Sequence, residues 1–209
     1  MAIQEQNLKK RQVKNNDKEI KKQNVDEKEK PTNNVDVLTK LKQSFLGFLR
    51  QFTKPKVYAV GTISGACTLS VMYISAKYTP FGDSKNYKDL IKLIDASPIA
   101  SLVISFFPPV LEEFICRKLI FGYLKKYSKF LAYVVSSAVF TLGHYQFSPV
   151  KCYEELNTTP TYFIAGLIFA YTYNYTGYLL SSMFAHYLTN GGISVLRTFG
   201  FWLNDRKLY

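Results

Sequence analysis

The stretch Leu111-Glu112-Glu113-Phe114-Ile115-Cys116-Arg117 places three charges in an otherwise apolar part of the chain. No charged residue occurs from Ser97 to Leu111, and an apolar pattern resumes at Leu119. A charged side chain at the centre of a bilayer costs roughly 2.5–3.5 kcal/mol on insertion scales, so such charges usually mark a functional site. The stretch therefore predicts a membrane helix that carries a functional site.

Helical spacing separates the roles of the two glutamates. Glu113 and Arg117 are four residues apart, so they share one helix face and can form an ion pair. Glu112 lies about 140° from Arg117 on the same helical wheel, too far round to share that pair. We predict that Arg117 neutralises Glu113, and that Glu112 is free to accept a proton. A purely structural ion pair with a spare glutamate stays open as the alternative.

The composition of the 209 residues points to a membrane. The chain carries a formal net charge of +12, and residues 1–56 hold 14 Lys and Arg against 7 Asp and Glu. This basic segment has no aromatic residue before Phe45 and the rest is dominated by apolar runs, so a lipid bilayer is the predicted partner and nucleic acid is not. The three cysteines are too far apart in sequence to suggest a disulfide framework or a zinc site.

The predicted fold class is all-α, a polytopic membrane helical bundle of about five spanning helices with a polar N-terminal tail. Apolar runs of about 20 residues have the length that a bilayer requires. The proline pair Pro108-Pro109 is expected to kink the second helix before Glu112. The predicted segments are a disordered basic tail (1–43), an interfacial segment (44–56), a first spanning helix (57–78), a loop (80–92), four further spans (95–124, 130–149, 161–173 and 178–199) and a loop (150–160).

Basic residues outside the apolar runs set the predicted orientation. The N-terminal tail and the turn at Lys125, Lys126 and Lys129 are both rich in lysine, and basic segments favour the cytoplasmic side of a membrane. Two spans between these segments return the chain to the same side. We therefore predict a multi-pass protein of the cell membrane with a cytoplasmic N-terminus.

The only two histidines of the chain, His144 and His186, both fall inside apolar runs. Asn190 follows His186 by four residues and therefore lies on the same helix face. At ~1.5 Å per residue, Glu112, His144, His186 and Asn190 lie roughly 12–21 Å from the predicted cytoplasmic ends of their helices. Polar groups on three helices at one depth predict a shared intramembrane cluster, because none of them is stable in lipid.

These motifs resemble those of a known family. Glu112-Glu113-x-x-x-Arg117, Phe140-x-x-x-His144 and His186-x-x-x-Asn190 occur in the order seen in the CPBP family, the CAAX-protease and bacteriocin-processing membrane proteins, also called Abi. The motifs lie within residues 95–203, which we take as the CPBP domain. The resemblance implies an all-helical intramembrane endopeptidase that uses a glutamate.

The resemblance also implies a role for each residue. Glu112 and His144 would activate the attacking water, and His186 and Asn190 would donate hydrogen bonds to the oxyanion. Glu113, held by Arg117, would position the site. The resemblance implies no cofactor, with zinc as the alternative because two Glu and two His are potential ligands.

The expected substrate is a membrane-associated or leader-type peptide. The resemblance suggests a role in bacteriocin processing or self-immunity. The alternative function is a membrane protein that binds a peptide without cleaving it, or a scaffold that keeps the motifs for helix packing.

Overall fold

The computed structural model describes residues 33–79 and 85–198, and this part of the chain is helical with no strand. Residues 1–32, which make up most of the predicted tail, and the C-terminal residues 199–209 lie outside it. The chain divides after Gly47 into two compact units, and every candidate site residue belongs to the second. The all-α class is confirmed.

The helices follow one another with short connections. A 3₁₀ turn at Arg50–Thr53 follows the first helix, and a π-helix at Phe114–Phe121 continues the fourth without a break. The α-helices are α1 (Asn33–Leu49), α2 (Pro55–Tyr78), α3 (Lys85–Ala96), α4 (Pro98–Glu113), α5 (Gly122–Leu124), α6 (Lys129–His144), α7 (Pro149–Glu154), α8 (Thr159–Thr176) and α9 (Leu179–Thr198).

Three segments differ from the sequence prediction. Helix α1 begins at Asn33, inside the segment 1–43 that was predicted as a disordered tail. Helix α3 occupies most of the predicted loop at 80–92, because Tyr87 and Ile91 lie one turn apart and both are buried. Helix α7 forms within the predicted loop at 150–160.

The Pro108-Pro109 pair lies inside α4. The change in helical geometry comes after it, at Phe114, where the wider π-helix begins. Single π-type turns inserted into α-helices are frequent at functional sites. Here the π-helix begins directly after Glu113 and contains Arg117.

One helix of the described region, Pro55–Tyr78, is long and apolar enough to cross a membrane by length and composition. It corresponds to the predicted first span. One such helix is weak evidence for a membrane by itself, and a total of five spans stays a prediction.

Helix α2 packs closely against α9, the helix that carries His186. A Cβ atom added at Gly65 would lie 2.9 Å from the carbonyl oxygen of Ala185 and 3.0 Å from Cβ of Leu188. The Thr189 hydroxyl donates to the carbonyl of Gly65 at 3.4 Å, across the same contact. Small residues allow two helix backbones to approach this closely, an arrangement typical of membrane helices.

Replacing Gly65 by alanine is expected to destabilise the protein by roughly 1–3 kcal/mol, the usual cost of overpacking. The new methyl group would press against a backbone carbonyl, which cannot move aside as a side chain can. The midpoint of thermal unfolding in detergent micelles measures this effect. Gly191→Ala, on α9 itself, is the matched control because nothing lies within 4 Å of its added Cβ. Equal unfolding midpoints for Gly65→Ala and Gly191→Ala would contradict the explanation that close helix packing at Gly65 excludes a larger side chain.

Candidate active site

The predicted ion pair between Glu113 and Arg117 is present and fully buried. Nε of Arg117 donates to Oε2 of Glu113 at 3.0 Å, and Nη2 donates to Oε1 at 3.4 Å. Both side chains have no exposed surface. This two-bond geometry is the strong form of an arginine–carboxylate contact, and it commits both oxygens of Glu113 to Arg117.

The same arginine connects the π-helix to α6. Its Nη1 donates to the carbonyl and to the hydroxyl of Ser136, each at 3.4 Å. Its guanidinium lies over the Phe140 ring, 5.2 Å from the centroid. A buried charge is tolerated when its hydrogen-bonding capacity is met in this way. Arg117 therefore fixes the glutamates relative to the helix that carries His144.

His186 lies between the two glutamates. Its Nδ1 is 3.3 Å from Oε1 of Glu113, and its Nε2 is 3.9 Å from Oε2 of Glu112. The glutamates differ sharply in accessibility, since the side chain of Glu112 is 37% exposed and that of Glu113 is 0% exposed. Oε2 of Glu112 is itself buried, and it has no hydrogen-bond partner among the described residues.

Aromatic rings hold both histidines in place. The His186 ring stacks on Phe169 with centroids 4.6 Å apart, and the His144 ring stacks on Tyr162 at 4.2 Å. Phe140 touches both histidines, with centroid distances of 4.7 Å to His144 and 5.5 Å to His186. The aromatic residue of the Phe140-x-x-x-His144 motif thus packs at the centre of the site.

One hydrogen bond assigns the tautomer of His144. Its Nδ1 lies 3.0 Å from the carbonyl oxygen of Phe140, and a carbonyl only accepts, so Nδ1 carries the proton. In the neutral ring, Nε2 is then an acceptor. His144 also lies within electrostatic range of Glu112 and His186. The site therefore contains a partly exposed carboxylate and an imidazole nitrogen that can accept a proton.

A family model described as "Type II CAAX prenyl endopeptidase Rce1-like" matches residues 95–192. This range contains every candidate residue named from the sequence, and two similar membrane peptidases support the same assignment. The chain is therefore similar to the CPBP family over this range. The resemblance seen in the three sequence motifs is thereby confirmed.

The two relatives come from bacteria. The chain is 31% identical over 127 residues to the "Putative membrane peptidase YdiL" of Bacillus subtilis (strain 168), covering 59% of this chain and 48% of the relative. It is 32% identical over 121 residues to the "Membrane-embedded CAAX protease MroQ" of Staphylococcus aureus (strain USA300), covering 54% of this chain and 45% of the relative. The match thus spans just under half the length of each relative. No solved structure matches the chain.

Five of the six predicted site residues lie close together in the structure. Glu112, Glu113, Arg117, His144 and His186 come together from three separate segments of the chain. Asn190 is half-buried one turn after His186, and within the described residues its side chain takes no part in the contacts above. Its role stays a prediction.

Several supporting residues of the CPBP site were missed from the sequence. The Ser182 hydroxyl adjoins Glu113, and Ser182 precedes His186 by four residues, so helical spacing could have placed it on the same face. Ser136 precedes His144 by two turns and was recognisable in the same way. Phe169 and Tyr162 carry no such signal, because aromatic residues are common throughout the chain.

Proposed function

We propose that this CPBP protein is a membrane endopeptidase that hydrolyses a peptide bond with a water molecule activated by Glu112. The observation that carries the proposal is the difference between the two adjacent glutamates. Glu113 is buried and held by Arg117, whereas Glu112 is partly exposed and has an unpartnered carboxylate oxygen beside a histidine. One carboxylate thus stabilises the site while the other remains available for chemistry.

In the proposed reaction, Glu112 and Nε2 of His144 hold the attacking water by accepting hydrogen bonds from it. As the water oxygen attacks the peptide carbonyl carbon, one of its protons passes to Glu112. The carbonyl oxygen becomes an oxyanion, to which Asn190 and a ring N–H of His186 donate hydrogen bonds. When the carbon–nitrogen bond breaks, Glu112 gives its proton to the leaving amine and returns to the carboxylate form.

We propose that no metal ion takes part in this chemistry. Both oxygens of Glu113 contact Arg117, so this carboxylate is not free to bind zinc. In the described residues, no group of three or more His, Cys, Asp and Glu side chains is arranged to hold a metal ion. The residues therefore support acid–base catalysis better than coordination.

We propose a multi-pass location in the cell membrane with a cytoplasmic N-terminus. The names of both relatives describe membrane proteins. One helix of suitable length and apolarity supports this location. The proposed substrate is a membrane-associated or leader-type peptide, with bacteriocin processing or self-immunity as the biological setting.

The proposal predicts direct hydrolysis that depends on His144. Purified protein in liposomes is incubated in H₂¹⁸O with a mixture of apolar and amphipathic peptides, and the products are analysed by mass spectrometry. We expect each new C-terminal carboxyl group to carry one ¹⁸O atom. His144→Phe keeps the ring that stacks on Tyr162 and removes the accepting nitrogen, so product formation should fall by about 100-fold or more.

Two controls make this test decisive. The thermal unfolding midpoint of His144→Phe must match that of the unmodified protein. A loss of product formation in this variant then reports chemistry and not folding. A parallel reaction with 1,10-phenanthroline tests the metal-free proposal, which requires unchanged rates. Binding of peptides without any ¹⁸O-labelled product would instead support the peptide-binding function and contradict hydrolysis.

A further inference from the structure

A cavity of about 160 Å³ opens beside His144. Its size is comparable with the ~150 Å³ cavity in which a protein binds a benzene-sized molecule, so it can admit one side chain. The wall next to His144 is formed by Tyr145, which is almost fully buried. The remaining lining residues are polar or charged and come from α3, α7 and the segments beside them: Lys85, Asp89, Gln146, Lys151, Glu154 and Glu155.

Glu155 is the group in this lining best prepared to receive a ligand. Its Oε1 accepts a hydrogen bond from the backbone N–H of Lys85 at 3.0 Å, which fixes the carboxylate in place. Its Oε2 is buried and has no hydrogen-bond partner among the described residues. A buried carboxylate oxygen without a donor is costly, so a donor brought by a ligand would be bound favourably.

The other charges of the lining are already engaged or exposed. Asp89 pairs with Lys92 at 3.8 Å, and the ammonium group of Lys151 donates to the side chain of Gln146. Glu154 and Lys85 are exposed. A ligand that reaches the bottom of the cavity therefore meets an aromatic wall, a fixed carboxylate and the His144 ring.

We propose that this cavity binds a basic side chain of the substrate, so that the enzyme prefers peptides with a lysine or arginine close to the cleaved bond. The inference rests on the proposed function for the peptide nature of the ligand. The alkyl stem of a lysine would pack on Tyr145 while its ammonium group donates to Oε2 of Glu155. Because His144 lines the same cavity, the residue bound there lies next to the reacting carbonyl group.

Binding to the full-length Glu112→Gln protein tests this inference without turnover. The probes are fluorescein-labelled peptides of leucine and alanine that carry one lysine, one norleucine or one glutamate at each position in turn. The protein is held in lipid nanodiscs, and binding is measured by fluorescence anisotropy. We expect lysine to bind about 10- to 100-fold more tightly than norleucine at one position, as a charged hydrogen bond implies.

Adding Glu155→Gln to the same protein should abolish the preference for lysine. The glutamine oxygen can still accept from Lys85, so the local fold should be retained, and equal unfolding midpoints check this. Glu154→Gln is the matched control, because it removes the same charge from an exposed neighbour and should leave the preference intact. An equal loss of the lysine preference in Glu155→Gln and Glu154→Gln would show that Glu155 is not the specific partner of the lysine, and would overturn the inference.

The remaining outcomes are equally clear. Equal binding of all probes, or no binding, would overturn the inference. A preference for glutamate would indicate that Lys85 and Lys151 bind the ligand in this cavity, and it would also overturn the inference. Lysine-selective binding without cleavage by the unmodified protein would contradict the proposed function alone. Cleavage by the unmodified protein, with no preference for lysine in the binding assay, would contradict this inference alone.

Discussion

Replacing Glu112 by glutamine is expected to reduce peptide hydrolysis by about 100- to 10,000-fold, the usual contribution of a general base. Glutamine has nearly the same shape as glutamate but cannot accept the proton of the attacking water. Oε2 of Glu112 has no hydrogen-bond partner in the described part of the chain, so the exchange breaks no hydrogen bond at that oxygen. The loss should therefore appear in turnover, while the unfolding midpoint stays within error of the unmodified protein.

The measurement is the rate of ¹⁸O-labelled product formation per amount of folded protein. Glu113→Gln is an informative comparison, because it alters the neighbouring carboxylate that Arg117 holds. We expect that variant to lose stability first and activity as a consequence. Undiminished hydrolysis by Glu112→Gln would remove the central residue of the proposed mechanism.

Replacing Arg117 by methionine is expected to destabilise the protein by about 3–5 kcal/mol, the cost of breaking a buried ion pair by removing one partner. Glu113 would remain fully buried without its counter-charge. The two hydrogen bonds to Ser136 would also be lost. Methionine has a long apolar side chain, so loss of volume should contribute little.

The double variant Glu113→Gln, Arg117→Met distinguishes an electrostatic cause from a packing cause. It removes both charges, and buried pairs replaced by neutral groups often recover most of the stability. We expect its unfolding midpoint to lie clearly above that of Arg117→Met alone. A double variant as unstable as the single one would show that Arg117 acts through its contacts with Ser136 and Phe140 and not through Glu113.

The core of the site could be predicted from the sequence because charged and polar side chains in an apolar environment must be paired with one another. The Glu113–Arg117 pair followed from four-residue spacing. The convergence of His144 and His186 on the glutamates followed from the cost of leaving polar groups in lipid. These arguments depend on few residues and on the regular geometry of helices.

Other features depended on tertiary contacts that spacing does not reveal. Helix α3 was predicted as a loop because its charged residues outweighed the buried pair Tyr87 and Ile91. The π-helix after Glu113 has no recognisable pattern in the sequence. The stacking of Phe169 on His186 depends on how α8 and α9 pack against each other, and no local property of Phe169 predicts it.

The position of the Glu113–Arg117 pair has a consequence for how the protein is made. Both residues belong to one continuous helical stretch, so their charges can neutralise each other before any later helix has been synthesised. His186 follows in the last helix, and at about 5–20 residues per second it leaves the ribosome roughly 3–14 s after Arg117. Until then Glu112 lacks its histidine neighbour from α9. A nascent chain is therefore protected from its own unpaired charge early, and the assembled cluster exists only after α9 has been synthesised.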